Sequence, residues 1–99
     1  MKIILVCASG MSTTMMAKKI IESGMEAGVD VECSAYGYSV LGNVVNGADC
    51  VLIGPQVSYM EEKLKRQYPD IPMAVIPMRD YGMMNGKLVF ELAQSIVAK

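Results

Sequence analysis

Residues 2–14 read KIILVCASGMSTT, and they contain the change of pattern that decides the fold. The run from Lys2 to Val6 is almost wholly apolar, which is typical of a strand buried on both faces of a sheet. Glycine and hydroxyl residues follow at once, and from Thr13 apolar residues recur at helical spacing. A buried strand that turns directly into a helix is the opening half of a strand–helix–strand unit.

The same alternation of strand and helix continues along the chain. Further strands are predicted from their apolar patterns at residues 29–35, 50–53 and 73–76. Helices are predicted at 13–27, at 40–45, from a capping box at Ser58 to a point before Pro69, and after a cap at Asn85. Four such repeats predict a parallel sheet with right-handed crossovers.

The pattern within each strand predicts its place in the sheet. Residues 29–35 alternate between apolar and polar, and 73–76 lie between two prolines, so both should be edge strands. The predicted fold is a single α/β domain over residues 1–99, with a four-stranded parallel sheet of order 2-1-3-4 and helices on both faces. This arrangement is flavodoxin-like or phosphatase-loop-like. Ligands of such sheets bind beyond the carboxyl ends of strands one and three, where loops start at Cys7 and Gly54.

Composition argues against several classes of function. The chain has 99 residues, a formal charge of −1 and no basic stripe, so a nucleic-acid partner is not expected. It contains no histidine, and we expect no metal or other cofactor. Its three cysteines show no CxxC spacing, and their odd number suits a reducing compartment. No apolar run is long enough for a membrane span or a signal peptide, so a cytoplasmic location is expected.

The loop after the first strand combines a thiol with the features of an anion site. Cys7 should point from the end of the strand into the crevice as a nucleophile, and the start of the following helix favours its thiolate form. Glycine, hydroxyl groups and free backbone N–H groups form the predicted phosphate cradle. Its residues are Ala8, Ser9, Gly10, Met11, Ser12, Thr13 and Thr14. The alternative is a cysteine that acts as a small apolar residue before an ordinary turn.

Other uses of this loop are less well supported by the residues. A small cysteine-dependent phosphatase has the pattern C-x5-R-[ST], but Thr13 stands in the arginine position and no arginine occurs before Arg66. Asp80 is the one obvious candidate for the general acid that hydrolysis needs. A thioredoxin-like protein would need a second cysteine, and a flavodoxin-like electron carrier would need aromatic residues near the loop. The phosphatase is the main alternative, and a non-catalytic adaptor domain stays open.

The chain resembles the IIB component of the bacterial sugar phosphotransferase system, in the lactose/cellobiose (chitobiose) class. The resemblance covers essentially the whole chain and depends mainly on residues 5–13, 48–60 and 80–82, which read LVCASGMST, ADCVLIGPQVSYM and DYG. It implies a phosphotransferase component in which Cys7 takes a phosphoryl group from a phosphohistidine on a IIA protein. The group then passes to a disaccharide held by the membrane-embedded IIC protein.

Two further residues are candidates for contacts in the crevice or with a partner. Gln56 follows the third strand and could donate a hydrogen bond to phosphate or partner, although a simple turn role is equally open. Tyr81 follows the fourth strand and could close over the thiol, or pack its ring on the rim. Cys33 and Cys50 are predicted to be inert core residues. Four methionines at the same end could form an adaptable apolar rim or tuck beneath the loops: Met11, Met78, Met83 and Met84.

Overall fold

The structure is a computed structural model, and it describes residues 1–7 and 13–97, with only the backbone of Thr13. The strands are β1 (Lys2–Cys7), β2 (Glu32–Gly37), β3 (Cys50–Ile53) and β4 (Met73–Val75). The α-helices are α1 (Thr13–Glu26), α2 (Leu41–Val44), α3 (Glu61–Gln67), α4 (Met78–Gly82) and α5 (Gly86–Val97). Short 3₁₀ segments, Tyr38–Val40 and Pro55–Met60, precede α2 and α3.

The four strands form one parallel sheet of order β2-β1-β3-β4, which confirms the predicted order and both predicted edges. β1 is paired on both sides. Cys7 lies opposite Gly37 of β2, and Val6 lies opposite Ile53 of β3. The carboxyl ends of the three strands therefore meet at one edge, and the segments that leave them surround the end of β1.

Alternate residues of β1 belong to two separate apolar layers, one on each face of the sheet. Ile3 and Leu5 pack with α1 and α5, whereas Ile4 and Val6 pack with α2 and α3. All four side chains are fully buried, and burying each one contributes roughly 1.5–3 kcal/mol. The segments that leave β1 and β4 thus cover one face, and those that leave β2 and β3 cover the other.

The second strand begins later than its alternating pattern predicts. α1 ends in a Schellman motif, in which Gly28 has a φ of +76° and the N–H of Val29 donates to the carbonyl of Gly24 at 2.8 Å. Val29 is therefore used to close the helix. Parallel pairing starts only at Glu32, whose N–H donates to the carbonyl of Met1 at 2.8 Å. The predicted edge position of this strand is correct, but the helix cap moves the beginning of β2 from residue 29 to residue 32.

The predicted capping box at Ser58 is wrong, whereas the predicted cap at Asn85 is confirmed. Pro55 starts a 3₁₀ segment, and buried Val57 interrupts it with non-helical backbone angles, so α3 begins only at Glu61 without a side-chain cap. In contrast, Asn85 Oδ1 accepts the N–H of Leu88 at 3.1 Å at the start of α5. Pro55 and the burial of Val57 thus outweigh a capping pattern that depends on local sequence alone.

Gly86 permits the closest helix contact, because α5 starts directly against the backbone of α1. A Cβ atom at Gly86 would lie 2.6 Å from the carbonyl carbon and oxygen of Lys19. We expect Gly86→Ala to lower the free energy of unfolding by about 1–3 kcal/mol, because one of the two helices would have to move. Urea denaturation would measure this loss.

The matched control for that variant is Gly82→Ala in α4. A Cβ atom there meets nothing within 4 Å, and the φ of Gly82 is not positive. Alanine at this position should leave the stability unchanged or raise it by about 0.4–1 kcal/mol. Equal losses in the two variants would contradict the close contact between α1 and α5.

Candidate active site

Cys7 is the last residue of β1, and it lies at the carboxyl edge between β2 and β3. Its residue surface is only 2% exposed, and its thiol donates to the carbonyl oxygen of Tyr36, with 3.8 Å between Sγ and the oxygen. Because side chains alternate along a strand, Cys7 faces the same side of the sheet as Ile3 and Leu5, the side covered by α1. The helices that follow β1 and β3 cover opposite faces, so Cys7 lies at the point where ligands bind in such sheets.

The predicted phosphate cradle is largely outside the described residues. Ala8, Ser9, Gly10, Met11 and Ser12 are not described, and neither is the side chain of Thr13. What the structure does give is the start of α1 at Thr13, at the same edge as Cys7, and an exposed Thr14. The first turn of α1 contains no acidic residue, so no side-chain carboxylate of that turn competes for the positive end of the helix.

Gly54 brings the segment after β3 close to the cysteine. Its N–H donates to the carbonyl of Val6 at 2.8 Å, directly before Cys7. A Cβ atom at Gly54 would lie 3.0 Å from Oε1 of Gln56 and 3.8 Å from Cβ of Cys7. The amide of Gln56 therefore folds back over Gly54 toward Cys7, while the residue stays exposed to solvent. The structure thus brings together Cys7 and Gln56, two of the candidates from the sequence.

Tyr81 occupies a different environment from Gln56. It lies in α4, is only 8% exposed, and belongs to the apolar layer with Met16 of α1 and Phe90 of α5. This supports the packing alternative for Tyr81, with most of its surface withdrawn from a partner. Little in the sequence signals this burial, because α4 has only five residues and is too short for a periodic pattern.

Exposed apolar side chains surround the end of β1. Met78 and Met83 are 74% and 68% exposed, as an adaptable rim requires, whereas Met84 is partly buried against the core. Met11 lies outside the described residues. The structure adds four exposed apolar residues that sequence reasoning missed, Met15, Tyr38, Val40 and Tyr59. Each lies in the segment that follows a predicted strand, and this was the available signal, because such segments leave the sheet at its carboxyl edge.

Neither a metal-binding cluster nor a membrane-spanning helix occurs in the described part of the chain. Residues 1–7 and 13–97 contain no group of three or more histidine, cysteine, aspartate or glutamate side chains placed to hold a metal ion. Within the same ranges, no helix combines the length and the apolar character needed to cross a membrane.

The family model for the lactose/cellobiose-specific IIB subunit of the PTS system matches residues 2–92. The chain belongs to this family. A relative in Bacillus subtilis, the oligo-beta-mannoside-specific EIIB component, is 39% identical over 97% of this chain and 95% of its own length. The galactose-specific EIIB component of Lactococcus lactis is 36% identical over 96% of this chain and 94% of its own length. IIB subunits are components of a phosphotransferase system for sugar transport, and this chain is one of the lactose/cellobiose type.

Solved structures agree with this assignment. The cellobiose-specific IIB protein of Borrelia burgdorferi superposes with a TM-score of 0.81 at 34% identity, over 99% of this chain and 92% of that one. The lactose-specific IIB domain of Streptococcus pneumoniae gives a TM-score of 0.87 over 97% of this chain and 96% of that one. Its identity is only 16%, so it supports the fold alone. The predicted fold class and the predicted family are both confirmed.

The other two cysteines of this IIB chain are buried core residues, as predicted. Cys33 and Cys50 both pair with Ile3, one on each side of β1, so they lie about 9–10 Å apart, too far for a disulfide. Burial is the main cause that raises the pKa of each thiol from 9.0 to about 12. The smaller contributions come from Cys50 acting on Cys33 and from Asp49 acting on Cys50. Neither thiol is a nucleophile at neutral pH.

These raised pKa values predict a loss of stability at alkaline pH. Between pH 9 and pH 12 the thiols ionise in the unfolded chain but stay protonated in the folded protein. The unfolded state then binds fewer protons, so the free energy of unfolding should fall by up to about 1.4 kcal/mol per pH unit for each thiol. Below pH 9 these thiols should add no pH dependence. Urea denaturation across this range would measure the slope.

The matched comparison is the double variant Cys33→Ala/Cys50→Ala. It should be less stable at pH 7, because it loses core packing, but its stability should fall less steeply above pH 9. Comparing slopes removes the contribution of lysine and tyrosine residues, which both proteins share. Parallel slopes would show that the two thiols ionise equally readily in the folded and unfolded chains.

Proposed function

We propose that Cys7 is the phosphoryl carrier of this IIB chain. It accepts a phosphoryl group from the phosphohistidine of a IIA protein and passes it to a disaccharide bound by the membrane IIC protein. The observation that carries the proposal is the position of Cys7 at the end of the central strand, between the segments that lead to α1 and α3. Cys33 and Cys50 are buried within strands with pKa values near 12, so they are poor candidates for the same role.

The proposed reaction consists of two in-line displacements. In the first, the Cys7 thiolate attacks phosphorus, the S–P bond forms and the P–N bond to the donor imidazole breaks. In the second, a sugar hydroxyl attacks phosphorus, the S–P bond breaks and the thiolate is regenerated, while the hydroxyl loses its proton. The protein mainly has to position the groups and stabilise the charge of the transferred phosphoryl group. We assign the second task to residues 8–14 and the positive start of α1.

Gln56 is proposed to assist this step as a hydrogen-bond donor. Its amide already folds over Gly54 with Oε1 nearest to that residue, so turning the amide plane over would present the NH₂ group to a phosphoryl group on sulfur. An amide is suited to both the free thiol and the phosphorylated cysteine, because it neither adds charge nor needs to change its protonation. Gln56 would then stabilise the phosphorylated form more than the free thiol.

The exposed methionines are proposed to help one face bind two partners in turn. Met78 and Met83 are flexible, and their side chains can fit different apolar surfaces. The relatives above are named for different sugars although their identities to this chain are similar, which supports leaving sugar recognition to the membrane partner. We place the reaction in the cytoplasm, where thiols stay reduced.

The test of the carrier role is the intact mass after phosphorylation. The protein would be incubated with phosphoenolpyruvate, the general phosphotransferase proteins and a cognate IIA protein. We expect one phosphoryl adduct that requires IIA, is lost in Cys7→Ser and is kept in the control variant Cys33→Ser. If wild type gave no adduct but released phosphate from an aryl ester, the phosphatase alternative would replace this proposal.

The role of Gln56 predicts a rate effect without loss of the end point. Gln56→Ala should slow adduct formation by roughly tenfold or more, because a hydrogen bond to a charged group contributes about 1.5–3 kcal/mol. The adduct should still form at long times. Rapid-quench mass spectrometry would measure the rate. Ser58→Ala is the matched control, because Ser58 is exposed on the same 3₁₀ segment. Equal rates for the two variants would assign Gln56 to the turn alone.

A further inference from the structure

Gly54 is a glycine that its own backbone conformation does not require. Its φ of −63° and ψ of 146° are extended angles that any residue adopts, whereas Gly28 and Gly47 have positive φ values. Gly54 is also buried, at the point where β3 leads into the 3₁₀ segment Pro55–Met60. The constraint that favours glycine here is therefore the space beside its Cα atom.

Residues of the proposed transfer site border that space. A Cβ atom at Gly54 would lie 3.0 Å from Oε1 of Gln56 and 3.8 Å from Cβ of Cys7. The third close atom is the carbonyl oxygen of Val6, at 3.2 Å. That carbonyl is fixed, because it belongs to the central strand and accepts the N–H of Gly54 at 2.8 Å. A side chain at position 54 would therefore displace mainly the flexible end of Gln56.

The backbone of Gln56 is held by a tight turn. The N–H of Val57 donates to the carbonyl of Gly54 at 3.0 Å, and Pro55 lies between them with its φ fixed by its ring. Val57 is only 1% exposed and anchors the turn in an apolar layer of the core. Because the turn fixes the Cα atom of Gln56, the position of its amide is set by the room beside its side chain.

We propose that Gly54 is a positioning residue for phosphoryl transfer, because the absence of a side chain at this position leaves the room in which the amide of Gln56 reaches toward Cys7. The inference deepens the proposed function and depends on it, since it assumes that Gln56 assists transfer at Cys7. Gly54 itself takes no part in the chemistry. A methyl group there would push the amide away from the phosphoryl group and leave the charges and polar groups of the site unchanged.

The experiment is a double-mutant cycle on the rate of adduct formation, measured by rapid-quench mass spectrometry with a phosphorylated IIA protein as the donor. Gln56→Ala should slow the reaction by roughly tenfold or more, and Gly54→Ala should slow it by a similar factor. The double variant Gly54→Ala/Gln56→Ala should react within about twofold of Gln56→Ala, because the methyl group then has no amide to displace. Two independent effects would instead multiply to roughly a hundredfold.

A second measurement follows the amide directly. In Gly54→Ala, the magnetic resonance signals of the Gln56 side-chain NH₂ group should shift, whereas those of Gln67 and Gln94 should stay in place. These two glutamines lie on other helices, at the end of α3 and in α5. A loss of stability alone leaves the signals of the folded protein unchanged, so this readout separates positioning from stability.

Gly42→Ala in α2 is the matched control. A Cβ atom at Gly42 would lie 3.3 Å from the hydroxyl oxygen of Tyr68, which packs on the face of the sheet opposite to the one that Cys7 faces. The new methyl group thus also meets the far end of a side chain, but outside the transfer site. The rate of this variant should stay within about twofold of wild type, because changes at distant sites are independent.

Urea denaturation would check that all the variants are folded. If Gly54→Ala alone failed to fold, the double variant would decide by comparison with Gln56→Ala, because removal of the Gln56 amide relieves the closest contact. If neither protein with Ala at position 54 folded, the room beside Gly54 would serve the fold rather than the amide, and the proposal would be overturned.

The outcomes separate this proposal from the carrier role. Effects that multiply in the double variant, a wild-type rate in Gly54→Ala, or unshifted Gln56 signals would each overturn the positioning role and leave the carrier role in place. Should Gln56→Ala react as fast as wild type, the roles of Gln56 and Gly54 would both fail, while Cys7 would remain the carrier. If wild type formed no adduct, the carrier role itself would fail, and the role of Gly54 with it.

Discussion

The rest of the structure depends on β1, which is buried on both faces and paired with a neighbouring strand on both edges. Ile3, Ile4, Leu5 and Val6 are almost completely removed from solvent, and they divide between the two apolar layers. A strand in this position must be followed by crossover segments that return over the sheet. Its carboxyl end therefore becomes the meeting point of segments from three strands, and Cys7 is the residue at that end.

The location of Cys7 is what would let a small chain without histidine hold the proposed transfer site. Rigid backbone on both sides fixes the sulfur, and the start of α1 lies at the same edge. The other two thiols differ from Cys7 in their position along a strand and not in exposure, because all three cysteines are buried. Cys33 and Cys50 lie within strands on either side of Ile3, and desolvation keeps them protonated. We therefore propose that one residue type serves two purposes in this fold, and that its position along the strand decides which.

Close approaches of backbone complete the site. Gly54 lets the segment after β3 pass beside Val6, which brings Gln56 toward Cys7. Gly86 lets α5 start against Lys19 of α1, and Tyr81 of α4 packs into the same apolar layer. These contacts help to set the positions of the exposed methionines at this end of the sheet. The surface that a partner would meet thus depends on glycines that lie beneath it.

The sequence by itself determined the alternation of strands and helices, the order of the strands, the end of β1 to within one residue and the cap at Asn85. Each of these depends on a local pattern, because burial on both faces, alternation and capping are read from neighbouring residues. Other features were decided only by tertiary structure. These are the late start of β2, the 3₁₀ segment after β3, the approach of Gln56 to Cys7 and the burial of Tyr81. They depend on which residues from distant parts of the chain meet, and on the face of the sheet that each crossover covers. A local sequence pattern does not contain that information.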